Sequence, residues 1–205
     1  MTKVHSKSTP HESDLRCLSG DGGGVDAAMV LTVWRKSLVL NGKGFAVFDA
    51  KGNLVFRVDN YASRNKGKVV LMDGFGKPLL TIRKKKLSLG DQWSIYDGED
   101  VAAAPLFSVK KHTSFIYTKN SLHVTPVSCA ASGGRYEVEG SYSQRCCAVY
   151  DETQRRLAAV EPKAAVGVDV FRLVVEPGFD SAVAMAVVIL LDQAFGSRGS
   201  LLKSF

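Results

Sequence analysis

The chain has little of what marks a secreted, disulfide-linked or membrane-spanning protein. Only four of its 205 residues are cysteine, and two of these, Cys146 and Cys147, are adjacent, so that in a strand they would point to opposite faces. The other two, Cys17 and Cys129, complete no disulfide framework and no zinc-binding spacing. No basic and apolar leader opens the sequence, and no apolar run reaches the length of about 18 residues that crosses a bilayer. We therefore expect an intracellular protein, cytoplasmic or nuclear, or peripheral at the plasma membrane.

The sequence also has little that would serve catalysis. Its four histidines lack the spacing of a helical metal-ligand pair and the context of an activated nucleophile; they are His5, His11, His112 and His123. Glu137 and Glu139 share one face of a predicted strand and could act as acid and base, but an outward acidic stripe is the simpler interpretation. We expect no enzyme, no metal site and no cofactor.

The longest apolar run lies near the end of the chain. Residues 182–191 are all apolar, and Asp180 or Ser181 before them can accept hydrogen bonds from the first free N–H groups of a helix. Ten helical residues rise only about 15 Å, against about 30 Å for a bilayer core. The run therefore predicts a buried core helix at about 180–195, with Asp192 at the mouth of whatever surrounds it, where a carboxylate needs no partner.

Short apolar strands separated by polar turns precede this helix. We predict twelve strands, at about 29–37, 44–49, 53–60, 67–73, 78–84, 91–97, 104–111, 120–126, 134–142, 145–151, 155–161 and 168–176. An apolar-then-Asp ending recurs at Asp49, Asp73, Asp97 and Asp151, where turn residues follow. Hairpins in series form an antiparallel sheet, and closing that sheet around the apolar helix would remove its edges.

The division of the chain follows from the same pattern. Residues 1–28 are rich in Ser, Gly and His and lack apolar periodicity, which predicts a flexible leader. We expect the barrel domain at 29–196 and a short C-terminal tail at 197–205.

Several stretches resemble the plant LURP-one-related family, in the family's order: residues 31–37, 44–58, 70–74, 79–86 and 140–146. The resemblance implies an all-β fold with one central helix, a tubby-like closed antiparallel barrel of about twelve strands around a buried C-terminal helix, as in tubby domains and phospholipid scramblases. It implies no enzymatic mechanism. It also implies a signalling or transcription-related role, membrane tethering and a part in plant defence.

Charge is concentrated in one half of the sequence. Residues 29–119 carry 16 basic and 7 acidic side chains, against 3 and 4 in residues 1–28 and 8 and 9 in residues 120–205. Strand ends in this half hold the candidate lipid- or phosphate-binding residues, which are Arg83, Lys84, Lys85, Lys86, Lys110 and Lys111. Alternation places Arg83, Lys85 and Lys110 on the outer face. A solvated basic surface without a ligand is the competing interpretation.

These observations favour a binding module that attaches to phosphoinositides or another anionic membrane surface. A protein-interaction scaffold without a lipid ligand is the alternative, and a scramblase-type lipid transporter is a third reading. Direct reading of a nucleic-acid groove is disfavoured, because no exposed aromatic residues are interleaved with the basic ones. Cys146 and Cys147 are expected to be buried structural thiols.

Overall fold

The computed structural model describes residues 27–36, 44–59, 67–86, 88, 90–113, 120–128, 134–163 and 167–196. The predicted leader, apart from residues 27 and 28, and the predicted tail lie outside the described residues.

Twelve antiparallel strands form a closed barrel in which each strand pairs with its neighbours in sequence and the last pairs with the first. They are β1 Met29–Trp34, β2 Gly44–Phe48, β3 Leu54–Asp59, β4 Lys68–Asp73, β5 Pro78–Lys84, β6 Gln92–Asp97, β7 Phe107–Thr113, β8 Asn120–Pro126, β9 Tyr136–Ser141, β10 Cys146–Tyr150, β11 Arg156–Pro162 and β12 Val170–Val175. The chain ends this fold with the helix α1, Ser181–Phe195. The prediction of a twelve-stranded barrel with one helix is confirmed.

Three of the four repeated aspartates build the same turn. One side-chain oxygen of Asp49, Asp73 and Asp151 accepts the backbone N–H groups two and four residues later, at 2.8 to 3.0 Å. In each of the three hairpins the strand pairing shifts register by one residue just before the turn. Such a shift is a β-bulge, in which one strand carries one residue more than its partner. The repeat seen in the sequence is therefore one physical device used three times.

Asp97 departs from this pattern, and the seventh strand starts later than predicted. Gly98 donates its N–H to the Leu79 carbonyl at 2.8 Å, and its own carbonyl accepts the Thr81 hydroxyl at 2.7 Å. These bonds tie the start of the following segment to β5. The next strand, β7, begins at Phe107 rather than near residue 104.

The helix α1 fills the barrel. Residues 183–191 are buried on every side of the helix, and they face inward strand residues such as Leu31, Trp93 and Phe171. Burying one such aliphatic or aromatic side chain contributes about 1.5 to 3 kcal/mol, so the helix is the centre of the hydrophobic core. Asp180 caps the N-terminus by accepting the N–H groups of Ala182 and Val183 at 2.7 and 3.2 Å.

The barrel has two ends, which α1 distinguishes. At the helix N-terminal end lie the three aspartate turns and the connection from β12 to α1. At the helix C-terminal end, odd-numbered strands finish and even-numbered strands begin, around Asp192, Ala194 and Phe195. The candidate basic residues belong to this second end.

Candidate basic site at the helix C-terminal end

A polar cluster surrounds the last turn of the helix. Asp192 accepts a hydrogen bond from Arg35 Nε at 2.7 Å and one from the Tyr142 hydroxyl at 3.3 Å, and Arg35 also lies 3.6 Å from Asp169. Asp192 does lie at the barrel mouth, but it is only 24% exposed there and has partners, contrary to the expectation that it would need none. A carboxylate at a helix C-terminus is destabilised by the negative end of the helix dipole, and a cation beside it, here Arg35, offsets that repulsion.

The charges in this cluster shift the acidity of its members. Burial alone would lower the pKa of Arg35, but the adjacent Asp192 carboxylate raises that pKa above its ordinary value. Burial, reinforced by the Asp192 charge, raises the pKa of Tyr142 far above its usual range. Arg35 therefore stays charged and Tyr142 stays a hydroxyl donor at any physiological pH.

Arg145 closes the turn between β9 and β10, a role that the sequence did not reveal. Its guanidinium carbon lies 4.1 Å from the centre of the Tyr142 ring and 4.5 Å from that of Phe171, so the cation contacts both aromatic rings, which are nearly perpendicular to each other. It donates to the Val168 carbonyl at 2.8 Å and to the Tyr142 carbonyl at 3.1 Å. The residue is 5% exposed and adopts a φ of 55°, so it is a structural cation and not a surface one.

Four of the six candidate cations are exposed at this end. Arg83, Lys85, Lys86 and Lys110 are all exposed, and the structure gives none of them an ion pair within the described part of the chain. The Lys85 amide donates to the Gln92 carbonyl at 2.9 Å, and Gln92 is the register partner of Lys110. Lys85 and Lys110 thus lie in one outer row, with one strand between them and a backbone separation of about 10 Å.

A shallow groove runs beside this row. Its volume is about 280 Å³, and it is lined by Arg83, Lys84, Lys85, Lys86, Ser94 and Tyr96. The wall therefore combines cationic groups with two hydroxyls, which is the donor set that a phosphate group requires.

The other two candidates are each held by a partner near the barrel mouth. Lys84 forms an ion pair with Asp91 at 2.5 Å and lies 5.6 Å above the Trp93 ring. Lys111 donates to the Ala194 carbonyl at 2.9 Å and lies 4.6 Å from the centre of the Phe195 ring. Because Ala194 belongs to the last turn of α1, Lys111 acts as a cation at the helix C-terminus.

The opposite end of the barrel carries a larger cavity of about 390 Å³, with Tyr136, Phe179 and Val183 among its apolar walls. Its charged lining residues are Asp151, Arg155 and Asp180. Arg155 is already hydrogen-bonded to Asp151 at 3.2 Å, and Asp180 occupies the helix N–H groups. An anion entering this cavity would meet two carboxylates, so the basic groove is the better anion site.

The two adjacent cysteines differ, which corrects the expectation that both are buried. Cys147 faces the core and is 5% exposed, and burial raises the pKa of its thiol to about 12. Cys146 is exposed. The alternation of the strand separates them, as the sequence indicated.

Within the described part of the chain, no group of three or more His, Cys, Asp or Glu side chains could hold a metal ion. His123 lies 3.7 Å from Glu137 with its ring 5.5 Å from that of His112, on the partly exposed outer face and not packed in the core. No helix among the described residues has the length and apolarity to cross a membrane.

The fold defines the class of protein as a closed antiparallel barrel built around a C-terminal helix. The family model described as LURP-one-related matches residues 29–192, from the first residue of β1 to the aspartate that pairs with Arg35. The chain belongs to the LURP-one-related family.

Individual relatives agree with this assignment. The chain is 45% identical to Protein LURP-one-related 8 of Arabidopsis thaliana over 205 residues, which cover 96% of this chain and 100% of that protein. It is 43% identical to Protein LURP-one-related 5 of the same plant over 177 residues, covering 81% and 83% of the two chains. An X-ray structure of a protein from Arabidopsis thaliana has the same fold, with a TM-score of 0.62 and 26% identity over 82% of this chain and 91% of that one.

Proposed function

We propose that this protein is a non-enzymatic binding module that attaches to anionic membrane surfaces, phosphoinositides included, through Arg83, Lys85, Lys86 and Lys110. The observation that carries the proposal is the placement of these exposed cations at one end of the barrel, where Arg83, Lys85 and Lys86 line one groove and Lys110 lies in the same outer row as Lys85. The family resemblance extends the proposal to a membrane-tethered signalling role, which in plants would include defence.

Lys84 and Lys111 are not part of this proposed contact. Each of them already has a partner, the carboxylate of Asp91 for Lys84 and the Ala194 carbonyl for Lys111. Recruiting either side chain to a lipid would sacrifice that interaction. The proposed site is therefore smaller than the basic sequence suggests.

The expected strength of the attachment is moderate. A basic residue near an anionic membrane contributes about 1 kcal/mol, so four of them support reversible, salt-sensitive binding rather than permanent anchoring. A scramblase-type lipid transporter is disfavoured, because residues 183–191 of the helix are enclosed by the barrel and would have to leave it to enter lipid.

Vesicle co-sedimentation tests the proposal with a matched control. The R83Q/K85Q variant and the K51Q/K77Q variant each lose two exposed positive charges, but Lys51 and Lys77 lie in turns at the helix N-terminal end. We expect R83Q/K85Q to bind vesicles of phosphatidylcholine and phosphatidylinositol bisphosphate about thirtyfold more weakly than the unaltered protein, and K51Q/K77Q to bind nearly as well.

Two results would contradict the proposal. Equal weakening by the two variants would mean that overall charge, not this site, drives binding. Absence of vesicle binding together with partner capture that persists at high salt would favour a protein-interaction scaffold.

A further inference from the structure

Trp34 is an exposed aromatic residue at the same end of the barrel as the exposed cations Arg83, Lys85, Lys86 and Lys110, here called the basic row. Leu31 and Val33 of β1 point inward and are fully buried, whereas Trp34 points outward, is 46% exposed and rests edge-on against Phe48 at 5.5 Å. Val168, 63% exposed, lies two residues before Val170, the register partner of Trp34. Arg35 and the exposed Lys36 follow Trp34 directly. Asp169, next to Val168, lies 3.6 Å from Arg35, so the cation that this apolar corner leaves exposed is Lys36. An exposed aromatic residue beside a cation is typical of surfaces that sit at lipid headgroup level.

The apolar corner and the basic row lie on opposite sides of one opening. Arg35, next to Trp34, binds Asp192, while Lys111, next to Lys110, binds the Ala194 carbonyl, so both neighbours contact the last turn of α1. Their strands, β1 and β7, face each other across the ring of twelve. A flat surface can reach both Trp34 and Lys110 only if it meets the barrel end-on.

We propose that the barrel docks end-on against an anionic lipid surface, with the helix C-terminal end facing the lipid, the basic row on phosphate groups and Trp34 and Val168 at headgroup depth. This orientation rests on the proposed membrane attachment, and it adds the docking face and an apolar contact that charge alone does not require. Side-on docking through the groove would leave Trp34 in water.

The opposite end supplies an internal control. Phe75 is fully exposed there, in the turn that Asp73 organises, so exposure alone does not distinguish it from Trp34. If any exposed aromatic residue entered lipid, Phe75 would do so at least as readily. End-on docking predicts that Phe75 stays in water.

Tryptophan fluorescence separates these orientations. The chain has two tryptophans, Trp34 and the buried Trp93, so W34F isolates the signal of Trp93 and the difference from the unaltered protein reports Trp34. W34F/F75W moves the reporter to the opposite end. Each protein is mixed with phosphatidylcholine vesicles, with and without phosphatidylinositol bisphosphate, and with phosphatidylcholine carrying brominated acyl chains as a quencher. Co-sedimentation is measured on the same samples.

We expect anionic vesicles to shift the Trp34 emission to the blue and brominated chains to quench it, with neither effect at position 75. Co-sedimentation with an unchanged Trp34 signal, or with a response at position 75, would overturn the end-on orientation and leave the proposed membrane attachment intact. Absence of co-sedimentation would overturn both. The emission of Trp93 in W34F verifies that the barrel is folded.

Discussion

At the scale of single residues, Gln154 occupies a turn position at which the two equivalent turns have glycine. The three aspartate turns each need one residue with positive φ, and Gly52 and Gly76 supply it at 86° and 91°, but in the third turn Gln154 adopts 62°. A side chain with a Cβ atom is strained in this conformation, whereas glycine is not. The third turn is thus the same device with a less suitable residue.

Replacing Gln154 with glycine is expected to stabilise the protein. Relief of the left-handed strain, partly offset by the greater chain entropy of glycine, raises the free energy of unfolding by up to about 1 kcal/mol. Chemical denaturation measures this free energy of unfolding. The G76A variant introduces the same strain in the second turn and should lower the free energy of unfolding by a similar amount. A lower stability for Q154G would contradict this account of the turn.

Asp151 also has an unusual acidity. Its hydrogen bond from the Thr153 hydroxyl, with further bonds from backbone N–H groups and Arg155, lowers the pKa of its carboxyl to about 2. Because the folded pKa lies below the unfolded one, the charged carboxylate stabilises the turn at neutral pH, and that contribution disappears as pH falls from about 4 through 2. A carbon-detected NMR titration should give this low pKa, and an ordinary aspartate value would show that these bonds do not form.

The two neighbouring cysteines should differ in reactivity. Cys146 is exposed, while Cys147 is buried and keeps its proton because its pKa is about 12. Brief treatment of the native protein with a maleimide, followed by peptide mass spectrometry, should label Cys146 and leave Cys147 unmodified until denaturant is added. Equal labelling of both in the native state would contradict the placement of β10.

At the scale of elements, α1 holds the structure together because every strand contributes to the wall around it. Leu190 is fully buried in this contact. L190A removes a side chain whose loss costs about 2 to 5 kcal/mol when the neighbours cannot collapse into the space. Thermal and chemical unfolding should show this loss in one cooperative transition, and a loss below 1 kcal/mol would mean that α1 does not fill the core as described.

The sequence predicted these elements well because their determinants are local. The apolar run that becomes α1, its Asp180 cap and the turns at Asp49, Asp73 and Asp151 all depend on nearby residues. The contact of Arg145 with both Tyr142 and Phe171 could not be predicted in the same way, because Phe171 comes from a strand distant in sequence.

The candidate site was predicted in part for a related reason. Alternation alone puts Lys84 and Lys111 on the inner face, with Ile82 and Val109, although their position within basic clusters suggested surface residues. Their partners were not predictable, because they depend on how far α1 extends along the barrel axis. Trp34 gave a usable signal, an aromatic residue on the outward phase of β1 directly before two cations.

At the scale of the whole molecule, the cations at the barrel mouth form two groups, one proposed to bind the membrane and one that stabilises the fold. Lys110 points outward into the proposed membrane-binding row, and Lys111 points inward to the carbonyl of Ala194. These two residues are adjacent in sequence and identical in chemistry. Substituting each of them in turn therefore compares the effect on membrane binding with the effect on stability, with the same change of side chain in both variants.

The central claim is tested most directly by the vesicle affinity and the unfolding free energy of K110Q and K111Q, measured side by side. We predict that K110Q binds anionic vesicles about fivefold more weakly, because it loses about 1 kcal/mol of attraction, while its stability hardly changes. K111Q should instead lose about 1 kcal/mol of stability at the helix C-terminus and keep most of its vesicle affinity. Equal loss of vesicle affinity in the two variants, or a stability loss confined to K110Q, would contradict the account.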